Sequence, residues 1–152
     1  MKLKITILIL WNFLITTFPK DISILANTSE WSTSLVKKSD LKYLLKYKGE
    51  YLHNTKLLGN NPLTKRLKTL IKNRYHYLIK TWAVETPIEI NNNMFSAWGC
   101  QQHNCSNTNF IIVVDFKKNV LYVGIREEEK ITIYSEDGSI NTIVSNWAKR
   151  IS

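Results

Sequence analysis

The spacing of the apolar residues changes once, near Trp82, and that switch constrains the fold more than any other feature of the chain. Before it the spacing is helical. Leu41, Leu44 and Leu45 recur within residues 38–47, where Ser39 or Asp40 can cap the start and Gly49 the end. A turn-like Gly59-Asn60-Asn61-Pro62 follows, with Pro62 suited to a first helical position. Leu63, Leu67, Leu70, Ile71, Tyr75 and Leu78 then form one stripe, which predicts an amphipathic helix over roughly 62–79. After Trp82 the pattern is that of strands. Residues 86–90, 94–98, 110–116, 120–125 and 130–134 read as extended, with turn residues between them. Residues 141–150 can form a short closing helix on Ile143, Trp147 and Ile151. Helices first and sequential strands afterwards predict an α+β domain. Its expected core is an antiparallel sheet of about five strands in chain order, with helices packed on one face.

The chain has only two cysteines, Cys100 and Cys105, and they flank the connection between two expected strands. Their redox state depends on where the chain resides. Met1-Lys2-Leu3-Lys4 is a positive start, and Ile5 to Phe18 carries no charge. That run is shorter than the roughly 20 apolar residues that span a bilayer, and it reads as a secretory signal, with an uncleaved membrane anchor as the alternative. Ile24-Leu25-Ala26 offers a cleavage site. The expected organisation is a signal peptide over 1–26 and one domain over 27–152, periplasmic or secreted. In an oxidising compartment two cysteines so placed are most simply a disulfide. Closing so small a loop constrains the unfolded chain by about 2 kcal/mol, so the bridge shapes the loop more than it stabilises the domain. Zinc would need Cys100, Cys105, His103 and one of His53 or His76, and no second ligand pair has finger-like spacing.

The loop reads Cys100-Gln101-Gln102-His103-Asn104-Cys105, between Met94 and an apolar strand that returns near Ile125. This stretch resembles the inhibitor of vertebrate lysozyme (Ivy) family, whose hallmark is a short loop between two cysteines carrying Lys-Pro-His-Asp. Cys100, His103 and Cys105 match, while Gln101, Gln102 and Asn104 stand where the family has Lys, Pro and Asp. The resemblance implies a central antiparallel sheet and inhibition by pushing the loop into a lysozyme's active-site cleft. Lysozyme works with two carboxyl groups of unlike pKa. A histidine placed between them can donate a hydrogen bond to each. On that reading His103 is the inhibitory residue, Cys100 and Cys105 hold the loop, and there is no catalytic residue, cofactor or metal. The partner is a lysozyme or a lytic transglycosylase. The alternative is a non-catalytic envelope domain that keeps the fold and binds something else.

Charge separates the two halves. Residues 37–80 hold twelve Lys and Arg against Asp40 and Glu50, whereas residues 81–152 hold six against eight acids. The basic segment fits a peripheral contact with an anionic envelope surface, and export argues against nucleic acid. A homodimer stays open. Vertebrate lysozymes are typically basic too, and like charges slow association, so it matters that the loop lies in the acidic half. Glu127, Glu128 and Glu129 alternate faces if extended and read as a solvated turn. His53 and His76 read as helix-surface residues, and Trp31, Trp82, Trp98 and Trp147 as packing, with Trp98 next to the loop.

Overall fold

The computed structural model describes residues 38–150. The expected signal peptide, Trp31 and Ile151 lie outside that range.

A 3₁₀ helix, Lys42–Tyr47, stands where a helix is expected over 38–47. It turns Leu41 and Leu44 fully inward. The expected helix over 62–79 is two helices, α1 Pro62–Ile71 and α2 Arg74–Thr81. Asn61 caps α1 by accepting from the Thr64 N–H at 3.0 Å, and Pro62 starts it. The chain leaves α1 at Lys72, whose φ is 48°. The apolar stripe keeps its phase across this break, so spacing gave no sign of it. The turn allows the Tyr75 hydroxyl to donate to the Leu58 carbonyl at 2.8 Å while Leu78 remains buried.

Six strands follow: β1 Val84–Glu85, β2 Glu89–Asn91, β3 Met94–Cys100, β4 Thr108–Asp115, β5 Val120–Glu127 and β6 Lys130–Ser135. All pairings are antiparallel, and β3 to β6 lie in chain order. β1 and β2 both pair with β3, where one strand is expected over 86–90. Pro87 has no N–H to give a ladder. Ile88 turns away from β3, donates its N–H to the Glu50 carbonyl and accepts from the Gly49 N–H, each at 2.8 Å. Asn92 and Asn93, with φ of 50° and 62°, make the two-residue reversal from β2 to β3. Both tolerate left-handed backbone better than branched residues do.

The 3₁₀ helix, α1 and α2 pack on one face of the sheet, around Leu67, Ile71, Leu78, Phe95, Phe110, Ile112 and Leu121. A buried cation closes this layer. Arg66 is 7% exposed and donates to both Glu136 oxygens, at 2.9 and 2.6 Å, and to Asn119 and Ser39. An unpaired buried guanidinium would cost several kcal/mol, and here every arm has an acceptor. The closing helix, α3 Thr142–Lys149, corrects the expectation of helices on one face only. It lies on the other face, where Val144 and Trp147 meet Ile111, Val113 and Tyr122. Strands β4 and β5 are buried on both faces and need cover on each.

Candidate functional site: the disulfide-closed loop

The loop stands at one end of the β3–β4 hairpin. Cys100 ends β3, opposite Asn109 in the register of β3 with β4, and it is fully buried. It is bonded to Cys105, with 4.9 Å between the two Cα atoms. Gln101, Gln102 and His103 are exposed, and Asn104 and Cys105 are half-buried.

Backbone geometry decides what projects. The Asn104 N–H donates to the Gln101 carbonyl at 3.1 Å, closing a four-residue turn. His103 is its third residue, with φ of 61°. That is the position where turns with one left-handed residue favour glycine or asparagine. A histidine held there carries strain that the surrounding bonds must maintain. They do so densely. The Gln101 N–H donates to the Thr108 carbonyl at 3.0 Å, and the N–H groups of Asn107 and Thr108 both donate to the Asn104 carbonyl.

Asn104 is the hub of the loop. Its Nδ2 donates to Gln101 Oε1 at 2.9 Å and to Thr108 Oγ1 at 3.2 Å, and its Oδ1 accepts from Asn107 Nδ2 at 2.9 Å. A carboxylate in this position could accept but not donate. The two departures at Gln101 and Asn104 are therefore in direct contact and satisfy each other without charge.

The loop is also fixed from below. Asn109, only 7% exposed, donates from Nδ2 to the Cys105 carbonyl at 2.8 Å and accepts at Oδ1 from Trp147 Nε1 at 2.9 Å. Arg126 lies with its guanidinium carbon 5.6 Å from the Trp147 ring centre and donates to the carbonyls of Ala148 and Arg150. The end of α3 and the loop are thus tied through one buried amide. On the other side Gly99 admits the Trp82 indole, since a Cβ there would come within 2.1 Å of its ring. Trp82 stacks on Phe110 and donates from Nε1 to Glu85 at 2.9 Å.

Electrostatics single out one residue. From Ile90 to Val114 no side chain is formally charged, so apart from the bonded cysteines His103 is the one titratable group in that stretch. Carboxylates approach from the β5–β6 turn, where the Glu128 N–H donates to the Asn107 carbonyl at 2.7 Å. Glu128 and Glu129 are exposed there, while Glu127 is paired with Arg74.

The other sequence candidates are dispersed. His53 faces Glu85 at 3.2 Å, and His76 is exposed on α2 with its ring against Tyr75. Among the described residues no group of three or more His, Cys, Asp or Glu could hold a metal ion. Trp82 and Trp147 are buried and Trp98 is half-buried. Reading the sequence alone did not single out Asn109, Thr108 or Arg126. A polar Asn between a disulfide loop and an apolar strand is the one signal that could have marked Asn109.

The fold and this loop define a small α+β domain that presents a disulfide-closed turn at one end of its sheet. The family described as "Inhibitor of vertebrate lysozyme (Ivy)" matches residues 62–152. The chain belongs to the Ivy family, whose members are inhibitors of lysozyme rather than enzymes. Comparison with curated proteins and with solved structures gave no match. The matched segment contains the loop, its anchors Asn109 and Trp147, and the whole sheet.

Proposed function

We propose that this chain is an exported inhibitor of lysozyme or a related peptidoglycan-cleaving enzyme, with residues 1–26 as its signal peptide and residues 27–152 as the inhibitory domain. It acts by inserting the loop from Cys100 to Cys105 into the active-site cleft. The observation that carries this reading is His103, exposed at the tip of a closed, densely bonded turn and within a stretch, Ile90 to Val114, that carries no charged side chain. A preorganised loop loses little conformational entropy on docking, so more of its contact energy appears as affinity. Inside a hydrolase cleft the imidazole donates to the catalytic carboxyl groups, and the loop occupies the place of the sugar.

Gln101, Gln102 and Asn104 form the neutral rim of the plug. The exposed Glu128 and Glu129 beside it favour approach by a basic enzyme, in the direction that the basic helical layer opposes. Because the rim lacks the family's Lys and Asp, its target need not be a vertebrate lysozyme. A lytic transglycosylase, which also presents a carboxyl group in a glycan cleft, is the other partner to assay.

The test measures inhibition by the chain and by its Cys100→Ser/Cys105→Ser double variant against both enzyme classes. The reading predicts inhibition of at least one class, weakened in the double variant although the domain still melts cooperatively. Failure to inhibit or bind either class would instead support an envelope domain with another partner.

A further inference from the structure

The helical layer carries a surface for which the loop has no use. In a 3₁₀ helix, residues three apart eclipse one another. Lys42 and Leu45 therefore line one exposed ridge, continued by Lys48, while Leu41, Leu44 and Tyr47 form the inner one. Leu45 is 48% exposed and Tyr51, just beyond the end of this helix, is 42% exposed, both large for such side chains. Lys46 stands beside this ridge. On α1, Lys65 and Lys68 are exposed away from the buried Leu63, Leu67 and Ile71, and Lys72 is exposed just past the end of the helix. Both helices are packed on the same sheet face, so their exposed rows belong to one outer layer. The Tyr43 hydroxyl joins them, donating to Asn61 Oδ1 and accepting from the Leu63 N–H, each at 3.1 Å. Among the described residues none of these lysines is in an ion pair.

We propose that this outer layer docks on an anionic phospholipid surface, with the lysines on headgroup phosphates and Leu45 and Tyr51 in the interfacial region. Charge alone would suit any polyanion. The exposed Leu45 and Tyr51 among the lysines favour lipid, because a soluble polyanion gives them nowhere to leave water. Each lysine near such a surface strengthens binding about fivefold, and the attraction falls with salt. With the loop projecting from one end of the sheet rather than from this layer, a docked molecule keeps His103 free.

The proposal does not depend on lysozyme inhibition. It is tested by sedimenting the full chain with vesicles of phosphatidylcholine alone and of phosphatidylcholine mixed with phosphatidylglycerol. Ile5 to Phe18 can itself enter lipid, and Lys2, Lys4 and Lys20 add their own charge, so the readout is the change in anionic preference between the full chain and its variants. Tighter binding to the anionic vesicles is expected. The Lys46→Gln/Lys65→Gln/Lys72→Gln variant should lose on the order of a hundredfold of that preference. Leu45→Ser should weaken anionic binding about fivefold. Unchanged melting temperatures establish that the variants are folded. Equal partition into both vesicles, or a preference undiminished in the triple variant, overturns the proposal. Equal affinity for soluble polyphosphate, with no effect of Leu45→Ser, overturns the choice of lipid.

Discussion

On the helical face of the sheet Trp82 lies over Gly99, and on the α3 face Trp147 lies over Gly124, where an added Cβ would come within 2.3 Å of the ring. The two seats look alike, but their surroundings differ. Among the described residues the cluster that contains Trp82 has twenty buried apolar side chains, and the one that contains Trp147 only six. The indole N–H of Trp82 ends on Glu85 of the edge strand β1, whereas that of Trp147 ends on Asn109 and through it on the loop backbone. One face supplies most of the burial that stabilises the domain. The other holds little apolar surface and uses it to position the turn that carries His103.

That division predicts different phenotypes for the two faces. The largest loss of stability comes from truncation on the helical face. Leu67→Ala, at a fully buried position, should cost about 2–5 kcal/mol in a urea titration. Inhibition per folded molecule should be unchanged. A loss of inhibition out of proportion to the unfolded fraction would break the comparison.

Asn109→Ala comes next. It leaves the buried Trp147 N–H and the Cys105 carbonyl without their partner, at about 1–3 kcal/mol. Unlike Leu67→Ala, it should also weaken inhibition at concentrations where the domain is fully folded. Full inhibition by a destabilised Asn109→Ala protein would show that the loop does not need its anchor.

The smallest effect concerns acid. Burial alone would raise the Glu136 pKa, but hydrogen bonds from Arg66, Lys38 and the Leu121 N–H outweigh it and hold the carboxyl below its usual range. A carboxylate lowered by folding stabilises the native state above its unfolded pKa. The contribution is lost as pH falls through the folded value. The melting temperature should therefore fall as pH drops below about 4.3. Glu136→Gln should be less stable at neutral pH and show a shallower acid decline. An acid profile identical in both proteins would remove Arg66–Glu136 from the account of the helical face.

Much of this contrast was legible in the sequence, though unevenly. The switch of period at Trp82 announced helices and then an antiparallel sheet, because burying one face imposes a periodicity on each element. The cysteine pair and His103 marked the loop, since few residue types carry that chemistry. The break at Lys72 was invisible, because Leu67, Ile71, Tyr75 and Leu78 keep helical phase through it. The placement of α3 was equally hidden. Val144 and Trp147 show that the helix has an apolar side, not which face of the sheet receives it. Asn109 acts through partners thirty-eight residues later and four residues earlier in sequence, and such pairing exists only in the fold.

The central claim is that one exposed imidazole, held on a left-handed turn, is the anchor of inhibition. The most direct measurement is the dissociation constant of the wild-type chain and of His103→Ala for the enzyme that the chain inhibits, determined calorimetrically under one buffer condition. Hydrogen bonds to ionised carboxyl groups contribute about 1.5–3 kcal/mol each, so the account predicts at least about tenfold weaker binding by His103→Ala. Gln102→Ala, a truncation on the neutral rim, should change the constant by less. Equal dissociation constants for wild type and His103→Ala would contradict the insertion mechanism, even for a chain that inhibits.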